Sequence, residues 1–146
     1  MRSPFMPSAS SGRPTGARPA GDPPLRASTA ALSDGTLVLR LAGEVTVARR
    51  ASLHRALRTV VGIRPVMLVV DLTALGFCDS TVLNALLETR LDARTAGVRL
   101  VLAGPPAQTR RLLRLTGTDR VFTVRPTLEA ALVPGHGVLL PGPAVA

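Results

Sequence analysis

One stretch, residues 67–91, constrains the fold more than any other part of the chain. Its sequence, MLVVDLTALGFCDSTVLNALLETRL, predicts an apolar strand, a short loop and then an amphipathic helix. Asp79, Ser80 and Thr81 stand where that helix begins, beyond the carboxyl end of the strand. Ligands and partners of open α/β sheets usually bind at such strand ends. A helix N-terminus also offers unpaired N–H groups and partial positive charge, which suit an anion such as a phosphate.

Strand and helix patterns alternate along the rest of the chain. Leu37, Leu39 and Leu41 share one face of a predicted strand at 36–41, and Glu44-Val45 continues it after Gly43. Residues 66–70 are apolar on both faces, as a strand covered from both sides should be. Further strands are predicted at 98–103 and 120–124, and helices at about 48–60, 80–95, 106–115 and 127–132. This alternation predicts an α/β domain with a mixed sheet of four to five strands and about four helices.

The predicted helices carry apolar stripes and recognisable ends. The stripe of the first helix is Leu53, Ala56, Leu57 and Val60, and that of the second is Leu83, Leu86, Leu87 and Leu91. Gly97 is expected just past the end of the second helix, where a positive φ costs glycine little. Pro106 suits a first helical position, and Thr127 suits an N-cap.

Composition sets the domain boundaries. Residues 1–30 are rich in Pro, Gly, Ser and Arg without a hydrophobic period, and residues 133–146 have Pro and Gly between short apolar groups. We expect both to be disordered tails, because such segments bury too little apolar surface to offset ordering. The folded unit is then about 35–132. No secretory signal or membrane-length apolar run is visible, so a cytoplasmic protein without membrane insertion is expected.

The net charge of +9 does not by itself indicate nucleic-acid binding. All 18 basic residues are arginines, which is typical of a GC-rich coding sequence, and most are spread along the domain. The chain has no Tyr or Trp and only three Phe, so aromatic platforms for single strands are missing. These arginines are interpreted as a solvated face, with no direct nucleic-acid partner expected.

Little in the chain suggests catalysis. His54 and His136 lack a nucleophile or carboxylate at motif spacing, and with one cysteine they cannot form a four-ligand zinc site. No glycine-rich phosphate loop is present, and Ser80 lacks the G-x-S-x-G context of a hydrolase. We therefore expect no enzyme, no cofactor and no metal. Cys78 could be a reactive thiol near a helix N-terminus, but a small buried hydrophobe is the favoured interpretation.

Asp79-Ser80-Thr81 has two interpretations from the residues alone. Asp, Ser and Thr are the usual N-cap residues, so the triplet could simply start the helix. Alternatively, the two hydroxyls could serve a function at the strand end.

The ordered series of motifs resembles the STAS domain, the family of bacterial anti-sigma factor antagonists and of sulphate-transporter cytoplasmic domains. The pieces that carry the resemblance are Leu41-x-Gly43-Glu44-Val45, Leu53-x-x-Ala56-Leu57, Val69-Val70-Asp71-Leu72, Phe77-Cys78-Asp79-Ser80-Thr81-x-Leu83, Thr116-Gly117-x-x-Arg120-Val121-Phe122 and Glu129-Ala130-Ala131-Leu132. Together they span about 37–132. A single STAS-like domain is therefore the expected fold.

The resemblance implies a phosphorylation switch. In antagonists of this family, the serine after the Asp is phosphorylated by an anti-sigma factor that is itself a serine kinase. Ser80 is thus the implied acceptor, with Thr81 as fallback, and phosphorylation would switch off an antagonist that regulates transcription. The implied partner-binding residues are Glu44, Thr46, Asp79, Ser80, Thr81, Val82 and Asn84.

Three positions depart from the family pattern and keep alternatives open. Val82 and Asn84 stand where glycines are common, and Thr46 stands where antagonists commonly carry an Asp. One alternative is a STAS interaction or scaffold module of a transport or signalling complex that is not phosphorylated. Another is a domain that binds a nucleotide or small anion at the start of the helix.

Overall fold

A computed structural model of the chain describes residues 25–132, apart from the side chains of Phe77 and Cys78. It has one five-stranded sheet of order β1-β2-β3-β4-β5. The strands are β1 (Arg26–Ala31), β2 (Thr36–Val45), β3 (Met67–Cys78), β4 (Arg99–Ala103) and β5 (Thr123–Arg125). The helices are α1 (Arg50–Gly62), α2 (Ser80–Ala96), α3 (Ala107–Thr116) and α4 (Leu128–Leu132), with 3₁₀ turns at Val47–Arg49 and Thr118–Arg120. β1 is antiparallel to β2 and the other pairs are parallel, so the predicted mixed α/β sheet is confirmed.

The sheet separates two apolar clusters. The larger one joins alternate leucines of β2 and β3 to the buried faces of α1, α2 and α3, and includes Leu39, Leu41, Leu53, Leu57, Leu68, Leu72, Leu86 and Leu113. The smaller one lies on the opposite face, where α4 covers Val38, Val69, Val101 and Ala103. β3 and β4 are thus covered on both sides, which explains why 66–70 and 98–103 lack a polar face.

β3 runs well past the segment 66–70 that the sequence predicts, because two irregularities interrupt its alternation. Arg40 of β2 pairs with Asp71, but Ala42 pairs with Ala74, and Gly43 pairs with Leu75 while Val45 pairs with Cys78. β3 therefore uses one extra residue in each interval. Each extra residue reverses which face the following side chains point to, so a period-2 pattern disappears from the sequence after Val70.

β1 corrects the predicted tail boundary. Residues 26–30 were expected in a disordered tail of residues 1–30, yet they pair with β2 in register from Arg26–Ala42 to Ala31–Leu37. Every residue of this edge strand is exposed, so its sequence, RASTAA, needs no apolar face and gives no burial signal. Residues 1–24 and the predicted tail 133–146 lie outside the described residues.

The helix boundaries and buried faces mostly follow the predictions. α1 buries Leu53, Leu57, Val60 and Val61, Gly97 closes α2 with φ +74°, and the Thr127 hydroxyl accepts the Ala130 N–H at 3.0 Å as an N-cap. Three details were wrong. Leu91 is 60% exposed, because α2 instead buries the small side chains Ala85, Thr89 and Ala93. Pro106 is the N-cap of α3 and not its first helical residue, and the strand predicted at 120–124 is shortened by the 3₁₀ turn.

Candidate functional site

The candidate site lies at the carboxyl end of β3, where the chain enters α2. We call it the crest: residues 46–49 after β2, residues 76–79 at the end of β3, and the first turn of α2, residues 80–84. β2 and β3 bring the first two segments together, because Val45 and Cys78 are register partners in parallel strands. Ser80 is the first residue of α2 and is exposed. The predicted helix start at Ser80, beyond the carboxyl end of a strand, is therefore present, but Asp79 alone separates β3 from α2 where the sequence predicts a short loop.

Asp79 holds the start of α2 in place. It is the N-cap, with an extended backbone (φ −119°, ψ −160°), and its Oδ1 accepts the Thr81 N–H at 2.8 Å. Hydrogen bonds from the Thr81 hydroxyl and backbone N–H lower the pKa of Asp79 from its ordinary 3.8, against a smaller effect of desolvation. Asp79 is therefore ionised at neutral pH, beside the Ser80 hydroxyl.

Thr81 and Val82 point inward. Thr81 is 8% exposed and Val82 is 1% exposed, within the main apolar cluster. The expectation that Val82 contacts a partner is corrected, because its side chain is a core residue. Thr81 is likewise poorly placed as a fallback acceptor, since its hydroxyl is buried. Val82 also does not cover Ser80, whose side chain is on the exposed side of the same turn.

Asn84, Thr46 and Glu44 complete the predicted set of residues. Asn84 is exposed one turn after Ser80, on the same face of α2. Thr46 is half-buried and starts the 3₁₀ turn, with its carbonyl accepting the Arg49 N–H at 2.9 Å. The Glu44 carboxylate lies against Gly76, so closely that a Cβ at Gly76 would collide with its Oε2. Gly76 is thus required for close packing at the base of the crest.

Gln108 was not predicted as part of this region. Its side chain, at the start of α3, donates a hydrogen bond from Nε2 to the Gly76 carbonyl at 2.8 Å. This bond ties the N-terminal end of α3 to the crest. Gly76 lies in β3 and Gln108 at the start of α3, 32 positions apart, and no pattern in the sequence indicates the contact between them.

Outside the crest, the described residues contain few clusters of polar side chains that could form a site. Residues 25–132 contain no group of three or more His, Cys, Asp or Glu side chains that could hold a metal ion. His54 lies on α1 and pairs through Nδ1 with Glu88 of α2 at 3.2 Å, away from the crest. His136 and the side chain of Cys78 lie outside what the structure describes. No helix within 25–132 is long and apolar enough to cross a membrane.

Among the grooves on the surface of residues 25–132, two are lined by residues outside the crest. One, of about 400 Å³, lies between β1 and α1, and the other, of about 320 Å³, lies between the C-terminal ends of α1 and α2. The crest itself presents an exposed hydroxyl, an ionised carboxylate and an amide. Such a surface can gain negative charge when its hydroxyl is modified, and it can form hydrogen bonds with a partner protein.

Comparison with known proteins agrees with this geometry. Residues 28–131 match the family model of the STAS domain. An anti-sigma-F factor antagonist, RsfB, from Mycobacterium tuberculosis is 33% identical over 109 residues, covering 75% of this chain and 88% of that protein. The crystal structure of an anti-sigma factor antagonist from Mycobacterium paratuberculosis is also 33% identical, with a TM-score of 0.64 over 75% of this chain and 92% of that one. The unphosphorylated form of the anti-sigma factor antagonist SpoIIAA, 18% identical, has the same fold, with a TM-score of 0.61 over 73% of this chain and 93% of that one.

Proposed function

Since the chain belongs to the STAS-domain family, we propose that it is an anti-sigma factor antagonist, a regulatory protein that binds an anti-sigma factor. Binding would leave the corresponding sigma factor free for transcription, and we expect this to take place in the cytoplasm. The observation that supports the proposal most is the exposed Ser80 at the start of α2, in a chain 33% identical over 109 residues to a protein named as an antagonist.

The switch in this proposal is phosphorylation of Ser80 by a partner anti-sigma factor that is a serine kinase. A phosphate carries about −1.5 to −2 charge at neutral pH. Added to the ionised Asp79 beside it, the first turn of α2 would carry a charge of about −2.5 to −3. The helix itself tolerates this charge, because its N-terminus has partial positive charge. The phosphate therefore destabilises the complex with the anti-sigma factor and not the domain. A loss of about 3 kcal/mol in the free energy of binding weakens that complex more than a hundredfold.

The proposed contact surface consists of the exposed part of the crest, Ser80 and Asn84 on α2 with Asp79 and Thr46 beside them. Glu44, at the end of β2, adjoins it. Of the two hydroxyls, Ser80 is the proposed acceptor because a kinase must reach the oxygen, and Thr81 is buried. The departure from the family pattern at position 82 has little bearing on access to Ser80, since Val82 packs inward.

A second candidate is a STAS interaction module that binds its partner without phosphorylation. Thr46 and Asn84 favour it, because they replace the residues that antagonists commonly carry there. It differs from the first candidate in one measurable way: partner binding would be indifferent to a negative charge at position 80.

The test uses the full chain and each kinase-type anti-sigma factor encoded by the source organism, produced recombinantly. After incubation with ATP, intact mass should show one added phosphate in the wild type and in Thr81→Val, and none in Ser80→Ala. Ser80→Asp should bind the same anti-sigma factor at least tenfold more weakly than wild type. Absence of phosphate with every kinase, together with tight binding of Ser80→Asp, would reject the switch in favour of the second candidate. Absence of any binding would reject both.

A further inference from the structure

The outer surface of α3 carries an unbalanced positive charge. Arg110, Arg111 and Arg114 are all exposed, and the helix from Ala107 to Thr116 contains no acidic residue. Among the basic side chains of residues 25–132, only Arg40 and His54 have a carboxylate oxygen within 4.0 Å, so these three arginines have none. They also repel each other, because Arg110 and Arg114 are spaced i,i+4 and Arg111 and Arg114 are spaced i,i+3.

The needs of the helix itself do not account for this charge. Arg114 lies in the last turn of α3, where a cation interacts favourably with the helix dipole. Arg110 and Arg111 lie before that turn and gain little from it. α3 therefore carries cations that raise its own free energy slightly and that no carboxylate of residues 25–132 balances through an ion pair.

An exposed leucine lies among these arginines. Leu115 is 74% exposed and is one turn from Arg111 on the same side of α3. Arginines are enriched at protein interfaces, and a partner that covers an exposed leucine gains affinity by removing its apolar surface from water. Surfaces that bind single-stranded nucleic acids combine arginines with aromatic side chains, and α3 has none. The surface of α3 thus fits an acidic protein partner better than a single-stranded nucleic acid.

α3 is also continuous with the crest through the hydrogen bond from Gln108 to the Gly76 carbonyl. A protein that covers Ser80 and Asn84 can therefore extend over α3 without leaving the surface. α1 offers a useful contrast. Its Arg55 and Arg58 are exposed and spaced i,i+3, like Arg111 and Arg114, but the residue one turn after Arg55 is Thr59 and not a leucine.

We propose that Arg110, Arg111, Arg114 and Leu115 form a second contact, the α3 surface, which binds an acidic surface of the protein that docks on the crest. This inference rests on the proposed function for the identity of that protein, an anti-sigma factor. In it, the crest contact responds to phosphorylation, whereas the α3 contact supplies affinity that depends on salt.

The experiment compares two charge reversals of equal size. Arg111→Glu/Arg114→Glu alters the α3 surface, and Arg55→Glu/Arg58→Glu alters α1 as the matched control. Binding of each to the recombinant kinase-type anti-sigma factors is measured at 50 and 500 mM NaCl, after thermal melts establish that the variants fold. We expect the α3 reversal to weaken binding about tenfold at low salt and much less at high salt, since an ionic contact is screened. The α1 reversal should change binding less than twofold.

Leu115→Ser supplies a test that does not depend on charge. It should weaken the same complex several-fold at both salt concentrations, because it removes apolar surface from the contact and leaves every arginine in place. This variant also keeps the inference testable if a double reversal fails to fold.

The remaining outcomes overturn the inference in separate ways. Equal losses for both double reversals would mean long-range attraction by net charge and no docking on α3. No loss for the α3 reversal, with Ser80→Asp still weakened, would remove the α3 contact and leave the proposed function intact. If the wild type binds none of the anti-sigma factors, the proposed function fails and the inference with it. Binding of a short duplex DNA that only the α3 reversal abolishes would assign the surface to nucleic acid instead.

Discussion

Replacing Asp79 with alanine is expected to destabilise the domain, because it removes the N-cap of α2. The lost interaction is the 2.8 Å hydrogen bond from the Thr81 N–H to Asp79 Oδ1. Loss of an N-cap costs about 1 kcal/mol, and loss of a negative charge at a helix N-terminus costs about 0.3–1 kcal/mol more. A domain of about 110 residues unfolds with an entropy of about 0.23 kcal/mol/K, so a total of roughly 1.3–2 kcal/mol lowers the Tm by about 6–9 °C.

Asp79→Ser separates the two contributions. Serine also caps helices, so this variant keeps an oxygen for the Thr81 N–H and loses only the charge. Its Tm should fall by about 1–4 °C, which corresponds to the charge contribution alone. Thermal melts followed by circular dichroism at pH 7 measure both variants against wild type.

The pH dependence has a defined sign. The folded state lowers the pKa of Asp79 below its ordinary 3.8, so the stability that its charge contributes is fully present above pH 3.8. That contribution is lost as the pH falls through 3.8 and then through the lowered value. The gap in Tm between wild type and Asp79→Asn should therefore shrink between pH 5 and pH 2. A Tm of Asp79→Ala within 1 °C of wild type, or a gap that widens in acid, would contradict this account of the helix start.

Three further changes test the interior. Leu57→Ala should cost about 2–5 kcal/mol in urea unfolding, because Leu57 is 1% exposed in the main apolar cluster and alanine would leave a cavity. Gly104→Ala should lower the free energy of unfolding more than Gly97→Ala does. Both glycines have positive φ, but only at Gly104 would a Cβ lie 2.7 Å from Thr73 Oγ1. A larger loss for Gly97→Ala would refute this steric argument. Asp71→Ala should cost about 1–3 kcal/mol, because Asp71 is 1% exposed and accepts the Thr73 N–H at 3.0 Å; an unchanged unfolding midpoint would show that another acceptor or water replaces it.

Much of the architecture follows from apolar periodicity. Leu37, Leu39 and Leu41 lie on one face of β2, and Leu53 and Leu57 lie on the buried face of α1, as their spacing predicts. Periodicity is informative there because each element packs a single face against the main cluster.

The errors occur where burial does not follow a simple period. β1 is not predicted because an edge strand exposed on both sides requires only backbone pairing. Such a strand shows no alternation of polar and apolar side chains. Leu91 was wrongly assigned to the buried stripe because hydrophobicity alone cannot tell that α2 approaches its neighbours through smaller side chains. These features depend on how closely the helices and strands approach one another, which the local pattern of a single sequence does not show.

The candidate site was predicted in outline and corrected in detail. The position of Asp79-Ser80-Thr81 at the strand–helix junction followed from turn and cap chemistry. Which of these side chains point outward depends on the rotation of α2 about its axis, and packing of Val82 into the core sets that rotation. The contact of Gln108 with the Gly76 carbonyl depends on tertiary structure alone.

The two extra residues of β3 determine how far beyond the edge of the sheet Ser80 lies. Between Arg40 and Val45, β2 advances five positions while β3 advances seven, from Asp71 to Cys78. Deleting one residue from 72–77 would remove one irregularity, turn the following side chains to the other face and pull Asp79 down towards the sheet. An insertion or deletion in 72–77 should therefore displace Ser80, whereas a substitution at the exposed positions Thr73 and Ala74 should leave it in place.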